Sequence, residues 1–177
     1  MNIPSMILLL LLLLPLPAWS IDVPLFSIQR SKNANEVHYR LHVDAHCRIV
    51  SDQPVEVFWK LLAESPEKTE PLTELEHMVY GAAHQHVADN WVSFRLRSLE
   101  HFRPLEQRRV KATASYDPHT AACAPIVQTE INTQWAALER IYVQADERRV
   151  RPKVLYIDVV GKSLEASPQV VTERIQP

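Results

Sequence analysis

Apolar and polar side chains alternate with a period of two along most of this chain, and that period belongs to half-buried β-strands rather than to helices. In Val37-His38-Tyr39-Arg40-Leu41-His42-Val43-Asp44, the residues Val37, Tyr39, Leu41 and Val43 share one face. Val55, Val57, Trp59 and Leu61 repeat the pattern after Pro54, which suits a strand start, while Glu56 and Lys60 turn the other way. Further strands are expected at Leu25–Arg30, Val92–Ser98, Arg108–Tyr116, Ile126–Thr133, Ile141–Ala145, Val154–Val160 and Gln169–Arg174. No long helical pattern separates them. The expected fold is therefore all-β, an antiparallel sandwich or partly open barrel, rather than βαβ units.

Turns are expected at Ser31–Asn35, at Asp117-Pro118-His119 and at Gly161-Lys162-Ser163. With only two glycines, Gly81 and Gly161, most turns must rely on Asn, Asp, Pro and longer loops. One short helix is expected at Thr73–Tyr80. Thr73-Glu74-Leu75-Glu76 reads as a capping box, Leu75, Met78 and Val79 share a face, and Gly81 can supply a left-handed residue after the last turn. A helix this short needs to dock on the sheet as a lid or plug.

The first residues follow a different logic. An apolar run from Met6 to Leu14 ends on Pro15 and Pro17, and Ala18-Trp19-Ser20 places small residues at the −3 and −1 positions of a cut after Ser20. This is the layout of a cleavable signal peptide over residues 1–20, although the stretch before the run lacks Lys and Arg. The run falls short of the ~20 apolar residues a membrane-spanning helix requires. The expectation is a periplasmic or secreted protein with no transmembrane segment after cleavage. Residues 21–177 then form one β-rich domain. A formal net charge of −2 argues against nucleic acid as a partner.

Two cysteines, Cys47 and Cys123, are expected to pair in an oxidising compartment. Neither lies in a Cys-x-x-Cys motif, so thiol redox catalysis is not expected. His42 and His46 stand four apart, but on a strand that spacing is about 13 Å, too far for one zinc ion. His84-Gln85-His86 is better spaced for chelation on an extended chain, with His77 or Asp89 as a third ligand, yet structural roles weigh more heavily. No metal and no cofactor are expected. Gly161-Lys162-Ser163 resembles the end of a phosphate loop, but Tyr156 stands where its first glycine belongs. Glu130, Asp158 and Glu173 could converge across a sheet, although exposed strand acids are the commoner case. Charge is uneven, with acids dominating Glu64–Glu76 and bases dominating Arg95–Lys111; the basic hairpin could touch anionic lipid or glycan. Trp59, Trp91 and Trp135 fall within or at the start of strands, where core packing is the default and a ligand cavity the sharper alternative.

Several stretches together carry a family resemblance. They are Leu25 to Asn35 with Val37 and Tyr39, the Pro54-Val55-Glu56-Val57-Phe58-Trp59 strand, Leu72 to Gly81, and Lys153 to Asp158 with Gly161. In these the chain resembles a bacterial family, the domain-of-unknown-function family 4833. That resemblance implies an exported bacterial protein of one domain and assigns no activity.

The function expected from the residues is non-catalytic: an exported envelope protein that binds a small apolar ligand or another envelope component. Arg30, Asn33, Asn35 and Tyr80, at the first turn and the helix end, are the expected ligand-binding residues. The alternative is a hydrolase acting on envelope glycans or lipids, which would need carboxylates or a Ser/His pair within hydrogen-bond reach in one cleft.

Overall fold

In the computed structural model, which describes residues 20–97, 103–146 and 153–176, the alternation becomes eleven strands of one sheet. Residues 1–19 of the expected signal peptide lie outside the described residues. Strands β1 (Ile21–Arg30), β2 (Asn33–Val43), β3 (Val55–Lys60) and β4 (Thr69–Pro71) make one antiparallel leaf. Helix α1 (Glu74–Tyr80) follows. A second leaf contains β5 (Ala82–Ala88), β6 (Trp91–Leu96), β7 (Arg109–Asp117) and β8 (Ala122–Ile131), with a one-turn helix α2 (Arg103–Glu106) before β7. The long β9 (Gln134–Asp146) then joins both leaves, and β10 (Lys153–Ser163) and β11 (Val170–Ile175) extend the sheet beyond it.

β10 occupies one edge of β9 from Ala136 to Asp146. β8 and β1 must therefore share the other edge, β8 along Gln134–Ala137 and β1 along Arg140–Val143. The β1–β9 pairing is parallel, so the sheet is mixed rather than wholly antiparallel. From that shared edge the leaves diverge and enclose one core, in which Tyr39 of β2 and Phe94 of β6 stack at 6.4 Å between ring centroids. Val37, Tyr39, Leu41 and Val43 are all buried, as their alternation requires.

Cross-links reinforce the two-leaf arrangement. Cys47, just after β2, and Cys123, in β8, form a disulfide with Cα atoms 5.5 Å apart. Asn90, in the β5–β6 turn, accepts from the Ile49 N–H at 2.8 Å and donates to the Cys47 carbonyl at 3.3 Å.

Glycine does less turn work here than the sequence suggests. Eight non-glycine residues among those described take positive φ, including Lys32, Asn90, Asn132 and Thr133, and neither glycine does. The capping box forms as expected. Gly81, however, has φ −59° rather than a left-handed backbone; it is glycine because a Cβ would stand 2.4 Å from the His77 carbonyl oxygen. Gly161 is not in a turn but inside β10, where a Cβ would come within 2.2 Å of the Ala137 oxygen. Its bare backbone lets β9 and the Ile131 side chain close over it.

Candidate functional site

The two leaves meet unevenly at their outer edges. Near its middle and end β3 is covered by β4, through Phe58, Trp59 and Lys60, but at Val55 it has no strand beside it on that edge. Gln85 of β5 takes the place of a strand: its Oε1 accepts from the Val55 N–H at 2.9 Å and its Nε2 donates to the Val55 carbonyl at 3.0 Å. A side-chain amide offers one acceptor and donors side by side, so it can satisfy both backbone groups of an edge residue.

Beside this bridge, under α1, opens a cleft of about 570 Å³. Val55 and Val57 reach it from the core face of β3, His42 and Glu56 from the solvent face of the first leaf. The cleft thus wraps the β3 edge. Met78, Gly81 and Ala82 close it on the helix side, and His77, Glu74 and Arg97 add polar groups to its rim.

The charges at the β3 wall are paired with one another. Arg40 makes a two-point contact with Glu56, 2.8 and 3.0 Å, and reaches Asp22 at 2.8 Å. His42 places one ring nitrogen 2.8 Å from Asp22 and the other 2.9 Å from Glu56. The Arg40 hydrogen bonds hold the Glu56 carboxyl below its ordinary range, so it remains an anion. A carboxylate fixed in this way is a poor proton donor.

α1 itself buries no residue, and Leu75 and Met78 are exposed. It docks through polar ends instead. Glu76 closes the capping box and accepts from Trp59 Nε1 at 2.9 Å; the Thr73 backbone N–H, the Thr73 hydroxyl and Trp59 together keep its carboxyl low. Tyr80 packs edge-on against Trp59, with 5.6 Å between centroids, and its carbonyl accepts from the buried Tyr39 hydroxyl. Burial raises the Tyr80 hydroxyl above its ordinary range, partly offset by the Arg30 charge beside it.

Of the four residues expected to bind a ligand, Arg30 and Tyr80 come together, with Arg30 donating to the Tyr80 hydroxyl at 3.3 Å. Asn33 and Asn35 do not join them. Asn33 accepts from the Asn35 N–H at 2.9 Å, an Asx turn, and Asn35 accepts from the Ala63 N–H at 3.1 Å. His84 and His86 open into separate depressions, and among the described residues no three His, Cys, Asp or Glu side chains gather as metal ligands. Glu130 and Glu173 do converge on one depression, whereas Asp158 is tied to Arg174. Trp59 packs against the core as expected, but Trp135 is 39% exposed on the outer face.

A family model for a domain of unknown function, DUF4833, matches residues 26–174, from within β1 to within β11. The chain belongs to the DUF4833 family. No curated protein and no solved structure matches it. The match takes in both walls of the seam, so the Gln85 bridge and the cleft lie inside the DUF4833 domain. Gln85 and Met78 escape a reading of the sequence alone, because their work depends on β3 lacking a partner at Val55.

Proposed function

We propose that this DUF4833 domain is a non-catalytic, exported binding protein of the cell envelope whose seam cleft holds a small amphiphilic ligand. Apolar parts of the ligand rest on Met78, Ala82 and the edges of Val55 and Val57, and its polar end meets His77 or Arg97. The observation that carries this reading is the side-chain bridge at Gln85, beside which the nearly buried Val55 and Val57 border a cleft that no strand fills. A concave site in which apolar side chains meet convergent polar groups suits an amphiphilic ligand, and here Val55, Val57, Met78 and Ala82 share the cleft with Glu74, His77, Gln85 and Arg97. The non-catalytic part rests on Arg40, His42, Glu56 and Asp22, which satisfy one another and leave no poised nucleophile or proton donor at that wall.

Export is supported by the signal-peptide pattern and by the disulfide, which persists in oxidising compartments. β1 also begins at Ile21, the residue a cut after Ser20 would expose, and Asp22 is already engaged with Arg40. Native mass spectrometry of protein recovered from the exporting cell tests the reading. A bound mass is expected in the natural protein and is lost in Met78→Glu, a change at an exposed position that leaves the fold intact. No bound mass, or equal retention by the variant, would overturn it.

A further inference from the structure

The solvent face of the second leaf bears a separate set of aromatic and basic side chains. Strand register fixes their layout: Arg95 of β6 lies opposite Arg109 of β7, and Glu130 of β8 lies opposite Trp135 of β9. One step along the strands, Ser93, Lys111 and Gln128 form a parallel row. Arg95 and Arg109 are like charges placed directly across two strands, an arrangement that destabilises a sheet when nothing lies between them. Lys111 holds its ammonium 5.1 Å from the Trp135 ring centre. This pair forms a ridge between two shallow depressions, one of about 390 Å³ beside Trp135 and Arg109, the other of about 300 Å³ beside Trp91 and Gln128.

Arg108 lies beneath this face. Its side chain is only 8% exposed, it lines the larger depression, and one guanidinium nitrogen meets Glu173 at 2.9 Å. Its Nε is buried without a hydrogen-bond partner. A buried donor left unfilled is costly and uncommon.

We propose that this face binds an extended acidic polysaccharide. Each sugar ring has a C–H face that lies flat on an indole, and Trp135 within the ridge, on its side away from Lys111, and Trp91 in the smaller depression offer two such platforms. Carboxylates on the sugar meet Lys111 and the Arg95–Arg109 pair and relieve the repulsion between them, while Ser93, Gln128 and Glu130 receive hydroxyls. A polyphosphate chain fits less well, because Glu130 and Asp89 interrupt the cations and a nucleic-acid strand needs a continuous basic track. A membrane surface fits less well too, since Ser93, Lys111, Gln128 and Glu130 between the tryptophans are polar and the exposed Ile126 beside them is too small an apolar area to insert.

The test is tryptophan-fluorescence and calorimetric titration of the full domain with an oligogalacturonate of defined length, with its methyl ester as the uncharged control. The acid is expected to bind, the ester to bind at least about tenfold more weakly, and Lys111→Gln and Trp135→Ala each to weaken acid binding about tenfold, the loss typical of an interface anchor. Both variants sit at surface positions and are checked for fold by circular dichroism. Equal affinity for acid and ester, no binding of either, wild-type affinity in both variants, or binding only to vesicles of anionic lipid would overturn the proposal.

Discussion

Gln85→Ala removes the amide that stands in for a strand at the seam, and its cost can be worked from the contacts it deletes. Val55 is 6% exposed, so its N–H and carbonyl lose partners at 2.9 and 3.0 Å with little water to replace them. Each stranded backbone group costs about 1–3 kcal/mol. The freed side-chain order returns roughly 1.5–2 kcal/mol. Taking the middle of each range leaves a net loss of about 2 kcal/mol, or a fall of about 4–8 °C in Tm for a domain of this size. Urea unfolding should show a lower midpoint with an unchanged slope, and the Val55 amide should exchange faster with solvent. Gln85→Glu sharpens the test. Its carboxylate can still accept from the Val55 N–H but has no hydrogen to offer the carbonyl, so it should fall at least as far as alanine. Wild-type stability in the alanine variant with unaltered Val55 exchange, or a glutamate variant as stable as the natural protein, would refute the bridging role.

Replacing both Cys47 and Cys123 with serine should lower stability by at most about 4.5 kcal/mol, the chain-entropy limit for a loop this long, measured by denaturant titration under non-reducing conditions. Gly161→Ala should destabilise by about 3 kcal/mol or more, because its Cβ meets backbone rather than a movable side-chain tip; thermal melts read the effect. The pH dependence has two signed parts. Glu56, held low first by its Arg40 hydrogen bond, contributes stability that is complete above the ordinary glutamate value of ~4.3 and is lost as pH falls through its lowered value; Glu56→Gln should flatten that acid limb. His38, held low first by burial, contributes stability that is complete above ~6.5 and lost as pH falls through its own lowered value, so His38→Phe should flatten the curve just below neutrality.

Much of the fold is legible in local pattern. The strands around Tyr39 and Trp59 announce themselves through strict alternation, and the Thr73–Glu76 box marks the start of α1 through the chemistry of its first turn. β5 does not, because Ala82–Ala88 is, apart from Val87, built from alanine, histidine and glutamine, which favour strands weakly; neighbours and the Gln85 bridge hold it there. The exposure of Trp135 was readable in principle. Buried Ala136 and Leu138 set the inward parity of β9, and Trp135 falls on the opposite one. Gly161 misleads because glycine serves both loose turns and tight crossings, and only the neighbouring backbone distinguishes them. The site was not legible: Arg30 and Tyr80 meet, but neither they nor Asn33 and Asn35 line the cleft, which depends on where β3 runs out of partners, a property of the assembled sheet.

The shared edge of β9 also sets an order of assembly. β1 and β2 can form a hairpin as soon as they are made, yet the far side of β1 at Ser27–Arg30 has no partner until Arg140–Val143 arrives near the end of the chain. During that interval a row of backbone donors and acceptors is open to any other strand. Contacts so distant along the chain slow folding, and an uncovered edge invites association between copies. Emergence of β9 covers that border of β1 but opens its own far edge until β10 pairs with it, so a growing copy of this domain sheds its last adhesive border along β9 only when β10 arrives.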